Sequence, residues 1–328
     1  MRRRLPVATL AAFPLGAWAN IQSALHPEGK DAIAIAGIGG VMFVAGAAIF
    51  VGVMLLVSLA MFGPVSVRTW LRSRRLVVIG GVAFPVIVLT ALLIYAMIVS
   101  ASLVRASEAP DLRIEVVGET WWWRVRYLDA SGKPVMETAN EIRMPAGRLV
   151  ELELTTADVI HSFWVPNLAG KTDMIPGHVN RQRLFVSTPG IFRGQCAEYC
   201  GAQHANMAFD VAVMPPEDFD AWLAAQQQPA RGPDSAQTRR GQKVFLDNDC
   251  VKCHTVRGTP AAGTAGPDLT HAGSRLSIAA ATLPNGVGAF AGWIAASQHI
   301  KPGNGMPSFD RLSPDDLRAI AAYMESLQ

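Results

Sequence analysis

The chain has 328 residues, half of them hydrophobic and 17% charged. That balance excludes a disordered chain; it is too apolar for most soluble enzymes and too polar for a polytopic transporter, so a few membrane spans joined to soluble mass fit best. The net charge of +3, with no dense basic stripe, gives no reason to expect nucleic acid as a partner.

Arg2, Arg3 and Arg4 open the chain, an apolar stretch follows, and Ala17-Trp18-Ala19 gives an A-x-A pattern. Residues 1–19 are therefore expected to be a secretory signal peptide, with a short amphipathic anchor as the alternative. Residues 20–107 hold two apolar runs, 32–62 and 76–104, neither with a charged residue. Each exceeds the roughly 20 residues that cross a bilayer. The loop between them carries Arg68, Arg72, Arg74 and Arg75 and no acid. By the positive-inside rule that loop faces the cytoplasm, and everything after the second run faces outward. Pro85 lies inside the second run, where a kink is expected.

Residues 108–227 change character. LRIEVVG, WWWRVRYL, EIRMP, RLVELELTT, QRLFVST and AFDVAVM are short, rich in β-formers and separated by Gly, Pro and Asp. This predicts an all-β sandwich or barrel, closed by a short amphipathic helix in PEDFDAWLAAQQQ. Cys196, Cys200, His204 and Met207 crowd one loop between two strands, and His161 lies upstream beside another strand end. Thiolate, imidazole and thioether together suit copper better than magnesium or calcium. Two cysteines exceed what a mononuclear blue-copper site uses, so the set reads as a binuclear site sharing one electron. Taken alone, the pair also suits a disulfide or a zinc site.

His161-Ser-Phe-Trp-Val-Pro, Lys171-Thr-Asp-Met-Ile-Pro-Gly and the Cys196–Met207 loop resemble subunit II of haem-copper cytochrome c oxidases, over roughly residues 20–227. The resemblance implies a Greek-key cupredoxin fold carrying the CuA centre. Cys196 and Cys200 would bridge two coppers, and His161 and His204 would each cap one. Met207 and the backbone carbonyl of Glu198 would be weak axial ligands. The Glu198 side chain would reach a magnesium ion at the boundary with subunit I. Trp121-Trp122-Trp123 is similar to an aromatic run in the family whose first member receives electrons near copper; Trp121 is the candidate, and Trp122 replaces the usual Tyr. One departure is the absence of any Asp or Glu between Asp31 and Glu108, where many members carry a carboxylate near the cytoplasmic end of the second span.

Residues 228–237 form a polar Pro/Gly/Ser-bearing linker, and residues 238–328 contain Cys250-Val-Lys-Cys253-His254. C-x-x-C-H is a c-type haem attachment motif: two thiols for thioethers and a histidine for the iron. Helical stretches at Thr238–Leu246 and Ser313–Leu327 suit an all-α class I cytochrome c domain. Met306, followed by proline in a loop before the last helix, is the expected sixth ligand. Met324, in a helix with core periodicity, is the competitor. Gly266-Pro267 resembles the cytochrome segment whose proline carbonyl accepts the axial histidine's ring N–H. Arg275 and Trp293 are candidates to meet the haem propionates, while His271 and His299 read as structural or solvent-facing.

Copper and haem together use all four cysteines. The resemblance is therefore to subunit II variants with a fused cytochrome c domain. It implies an oxidoreductase subunit passing electrons from a cytochrome c or other external donor through haem c and CuA to the haem of subunit I. There oxygen is reduced to water and protons are pumped. Implied partners are subunits I and III and membrane lipid, with both soluble domains on the periplasmic face of a bacterial inner membrane. The alternatives are a CuA-bearing subunit of a nitric oxide reductase, or a non-enzymatic membrane-anchored electron shuttle or copper-handling protein.

Overall fold

The structure, a computed structural model, describes residues 21–104 and 108–328; the expected signal peptide lies outside the described residues. Two helical rods long and apolar enough to cross a membrane come first. One is α1 (Lys30–Phe62), and a short α2 (Val65–Leu71) follows it. The second rod joins α3 (Arg74–Val78) to α4 (Phe84–Val104) through a π-helical turn at Ile79–Ala83. It starts two residues before the apolar run because Ser73 caps it, its Oγ accepting from Leu76 N. The expected irregularity at Pro85 is this π turn. Proline supplies no N–H and its ring clashes with the preceding turn, and a wider turn just before it relieves both.

The β region folds as two five-stranded sheets. The strands are β1 (Leu112–Glu119), β2 (Trp122–Leu128), β3 (Pro134–Ala139), β4 (Glu141–Pro145), β5 (Val150–Thr156), β6 (His161–Trp164), β7 (Thr172–Met174), β8 (Asn180–Leu184), β9 (Gly190–Cys196) and β10 (Ala208–Met214). One sheet runs β3-β2-β1-β5-β8 and the other β4-β10-β9-β6-β7. The pairs β1–β5 and β4–β10 are parallel and the remaining pairs antiparallel. Trp123, Phe163 and Phe209 fill the centre, with Phe163 stacked on Phe209 at 4.7 Å between ring centroids. The expected amphipathic helix is α5 (Pro216–Gln226), which covers Tyr127 with Phe219 and Trp222.

The membrane rods are stitched to this sandwich. Glu28 N and Gly29 N donate to Asn167 O, Lys30 N to Phe185 O, and Ala32 N to Leu168 O. A side chain at Gly29 would put its Cβ 2.1 Å from Leu168 O, so only glycine admits the approach.

The C-terminal unit packs α6 (Ala236–Asp247), α7 (Val287–Ile300) and α8 (Pro314–Ser326) around a second core, with a small hairpin of β11 (Ser277–Ile278) and β12 (Leu283–Pro284). The segment expected to be a linker is pinned at its start. Arg257 donates to the carbonyls of Gln226 and Gln227 and accepts from Ala230 N, and His271 Nε2 meets Gln228 O at 3.0 Å. The hairpin loop is unusual: Ala279, Ala280 and Ala281 have φ of 55°, 59° and 54°. Left-handed backbone costs an L-residue about 1–2 kcal/mol, so three in succession need compensation. Their carbonyls supply it by accepting from Lys301 Nζ, Ala208 N and Arg193 Nη2 respectively, the last two from the sandwich.

The crossing of α6 and α8 depends on Gly241, where a Cβ would fall 2.0 Å from Ala319 O. Gly241→Ala should push the helices apart and cost about 1–3 kcal/mol. In a calorimetric scan it should lower the unfolding temperature of the helical domain and leave that of the sandwich in place.

Candidate metal and haem centres

The first cluster hangs on the ends of three strands. Cys196 ends β9, Met207 immediately precedes β10, and His161 begins β6. The loop between β9 and β10 is closed at its base by Cys196 N donating to Met207 O at 2.9 Å. This brings the expected copper ligands together. Cys196 Sγ lies 3.8 Å from Cys200 Sγ and 3.8 Å from His161 Nδ1, while Cys200 Sγ lies 3.7 Å from His204 Nδ1 and 3.8 Å from Met207 Sδ. The Glu198 carbonyl oxygen is 3.1 Å from Cys196 Sγ. The sulfur separation is far beyond the ~2.05 Å of a disulfide, and both thiols are free and buried. Among the described residues, ligand atoms of His161, Cys196 and Cys200 lie within 4.8 Å of one another.

The electrostatics favour thiolate at this cluster. The hydrogen bond from Cys200 holds Cys196 well below the thiol range against the opposing effect of burial, with His161 assisting; the same pairing pushes Cys200 up. A bound cation would remove that remaining proton outright. His161 is fully buried and meets the Asp158 carboxylate at 2.9 Å through Nε2, which leaves Nδ1 facing the sulfurs. Burial opposes ionisation of Asp158. Hydrogen bonds from His161, Thr120 N and Thr120 Oγ1 outweigh it and hold the carboxyl below its usual range. Gly118 makes room for the ring, since a Cβ there would sit 2.7 Å from His161 Cδ2. Sequence reading passed over Asp158; its position three residues before His161 was the available signal. The Glu198 side chain points elsewhere, to Lys171 Nζ at 3.7 Å.

The three tryptophans separate. Trp123 is buried in the core, Trp122 lies under the Arg124 guanidinium at 4.7 Å, and Trp121 is half-buried with its indole Nε1 donating to Cys200 O at 2.7 Å.

The second cluster lines a largely apolar cavity in the helical domain. Cys250, His254, Trp293, Met306 and Met324 all contribute to its wall, and Cys253 is exposed. His254 Nδ1 meets Pro267 O at 2.8 Å, which assigns the ring proton to Nδ1 and leaves Nε2 free to ligate. Burial lowers the His254 pKa, favouring the neutral ligand form. Gly266 is required beside it: a Cβ would lie 2.7 Å from His254 Cε1. Met306 is held by Asn304 Oδ1 on its N–H and by Ser297 and Gln298 on its carbonyl, whereas Met324 is buried within α8. Arg275 is half-buried, bonds the carbonyl of Asp268 through Nη2, and has a buried Nε without a partner, but it does not line the cavity, whereas Trp293 does. His271 is buried and His299 exposed.

The two clusters face each other across an interface that sequence reading did not anticipate. Gln203 Nε2 donates to Pro302 O at 2.8 Å, and Lys301 Nζ donates to Trp121 O and Asn206 O at 2.7 Å each. Further out, Arg124 Nη2 donates to Thr264 O and Arg143 Nη2 to Ser274 O.

Replacing Asp158 with Asn removes the ionised partner of His161. Copper affinity should fall by roughly 10- to 100-fold, read by competition with a chelator of known affinity; an unchanged affinity would show that the carboxylate does not orient the ring.

A family model for the periplasmic domain of cytochrome c oxidase subunit II matches residues 126–214, and a cytochrome c model matches residues 238–328. Cytochrome c oxidase subunit 2 of Alkalihalophilus pseudofirmus is 31% identical, over 99% of this chain and 97% of its own length. The Bacillus subtilis protein of the same name is 27% identical, over 81% and 78%. The solved periplasmic domain of subunit II (CoxB) of Bradyrhizobium japonicum aligns with a TM-score of 0.34 at 30% identity, covering 37% of this chain and 96% of that one. Given a relation that runs nearly end to end, with each family model falling on one of the two side-chain clusters, the chain belongs to the cytochrome c oxidase subunit 2 family, in the form that carries a C-terminal cytochrome c domain.

Proposed function

We propose that this chain is the electron-input subunit of a haem-copper terminal oxidase, receiving electrons from an external donor at the cytochrome c domain and delivering them through the sandwich domain to subunit I. The observation that carries this reading is Trp121. Its indole donates to the carbonyl of Cys200, and its own carbonyl accepts from Lys301 at the start of the loop that carries Met306. One packed path thus joins the two ligand clusters. When bound, the copper pair and the haem would supply one-electron redox chemistry.

The residues fit these groups. Cys196 and Cys200 would bridge two copper ions, His161 and His204 would each hold one through Nδ1, and Met207 and the Glu198 carbonyl would complete the set. The cluster is walled by the sandwich core, so water is kept from it and the ligands are held before metal arrives. Cys250 and Cys253 would form the thioethers, with His254 and Met306 on the iron. His/Met ligation favours a high potential. The half-exposed Glu198 carboxylate would exchange its 3.7 Å contact with Lys171 Nζ for a magnesium ion whose other ligands would come from subunit I.

The units read as a membrane hairpin over 20–107, a CuA domain over 108–227, a pinned connector over 228–237 and a haem domain over 238–328. The arginine-bearing loop between the rods would lie in the cytoplasm of a bacterial inner membrane, both redox domains on the outer side, and subunit III and a c-type cytochrome or similar donor would complete the assembly. A nitric oxide reductase would differ in the partner's catalytic metal, and family membership favours the oxidase. A copper-handling role is disfavoured by ligands buried in a preformed core.

Metal analysis with EPR and optical spectra of the purified chain tests the reading. Two coppers per haem, with hyperfine splitting shared over both copper nuclei, are expected; a single copper or a copper-free chain that cannot be reconstituted would overturn it. Met306→Ala should lower the haem midpoint potential by on the order of 0.1 V or more, within the roughly 0.8 V range set by axial ligands. Met324→Leu should leave the potential in place, and spectroelectrochemical titration separates the two.

A further inference from the structure

We propose that Lys301 is a positioning residue that seats the haem-ligand loop on the copper domain and so fixes the register of the two redox centres. This rests on the electron-relay reading above and deepens it by naming what holds the relay together. Lys301 is 3% exposed, and among the described residues its hydrogen-bond acceptors are all backbone carbonyls. Two belong to the copper domain: Trp121 O, on the residue whose indole bonds the Cys200 carbonyl, and Asn206 O, just before Met207. The third, Ala279 O at 3.4 Å, belongs to the left-handed alanine turn of the haem domain. One side chain therefore joins the tryptophan, the copper loop and the hairpin.

The lysine sits at the end of α7, where its own amide is used by Ser297 O, so its side chain is free to reach across rather than to close its own helix. From it to Met306 the loop is fixed step by step. Pro302 O accepts from Gln203, a Cβ at Gly303 (φ +81°) would lie 3.7 Å from the Trp121 ring, and Asn304 Oδ1 accepts from Met306 N. A lysine on an exposed surface holds its partners loosely. A buried one is different, because its side chain is held in place and removing it takes the donor from carbonyls of both domains at once. The alanine turn gives the same indication from the other side: its backbone is left-handed where it offers Ala280 O to Ala208 N and Ala281 O to Arg193.

The test uses the full chain in the assembled oxidase. One readout is amide exchange at Ala208, whose N–H crosses the interface. The other is the rate at which an electron photo-injected into the haem by a ruthenium complex appears at copper. Lys301→Met should raise exchange at Ala208 and slow the transfer roughly tenfold, the loss expected when hydrogen bonds worth about 1.4 kcal/mol no longer favour docking. The copper EPR spectrum and haem midpoint potential should stay as in the wild type. Lys301→Gln, which keeps an N–H donor, should fall between. Wild-type exchange and rate in Lys301→Met would overturn the proposal. Should that variant fail to retain either cofactor, Lys301→Gln decides: intermediate values support the role and wild-type values overturn it. A wild-type chain that protects Ala208 yet passes no electron to copper would overturn the relay reading and leave the docking role standing.

Discussion

The hydrogen bond from Cys196 N to Met207 O closes the copper loop at its base and makes it a projection from two paired strands. Cys196 and Met207 are thereby held by the sheet itself, and the loop between them has only to turn Cys200 and His204 inward. Beneath the closure, Gly194 lets the Phe209 ring pass over the backbone; a Cβ there would be 2.1 Å from Phe209 Cζ. Phe209 in turn packs on Phe163 and Trp123. The ligands rest on an aromatic layer, so their placement is a property of the core.

The same pair of strands serves the second centre. Arg193 on β9, with Ala208 and Asp210 on β10, present donors and an acceptor to the hairpin of the haem domain. A shift of these strands would therefore move the proposed copper ligands and the docking surface together. The segment joining β6 to β7 is shared in a similar way. His161 begins β6, and Asn167 and Leu168, which follow that strand, bind the start of α1. The expected metal ligands, the hairpin of the haem domain and part of the seat of α1 thus share one sheet.

The interface between the domains is largely made of side chains reaching backbone carbonyls: Arg124 to Thr264, Arg143 to Ser274, Arg193 to Ala281 and Gln203 to Pro302. Carbonyl acceptors fix direction without requiring a matching charge. The connector is bound to the haem domain through Arg257 and His271, so it does not work as a free tether. The two centres consequently sit in a set arrangement, and an external donor meets a haem domain whose copper-facing side is already occupied.

Local chemistry was legible in the sequence because it resides in residue types at short spacing. Cys250, Cys253 and His254 declare haem attachment, and Cys196, Cys200, His204 and Met207 declare a soft-metal loop, in any fold that lets them converge. The apolar runs declare the spans because crossing a bilayer depends on length and composition alone. Most of the β-rich segments were legible from alternation, but β3, β6, β7 and β9 were not, being short or crossed by polar and glycine residues. Trp121 was already the candidate by resemblance; tertiary structure alone decided that its indole bonds the Cys200 carbonyl, that Asp158 meets His161 Nε2, and that Lys301 is buried between two domains. Asp158 stands only three residues before His161, yet that the two side chains meet depends on the turn into β6. Lys301 has no such neighbour: Trp121 and Asn206 lie far away in the chain, and only folding brings their carbonyls within a hydrogen bond of it.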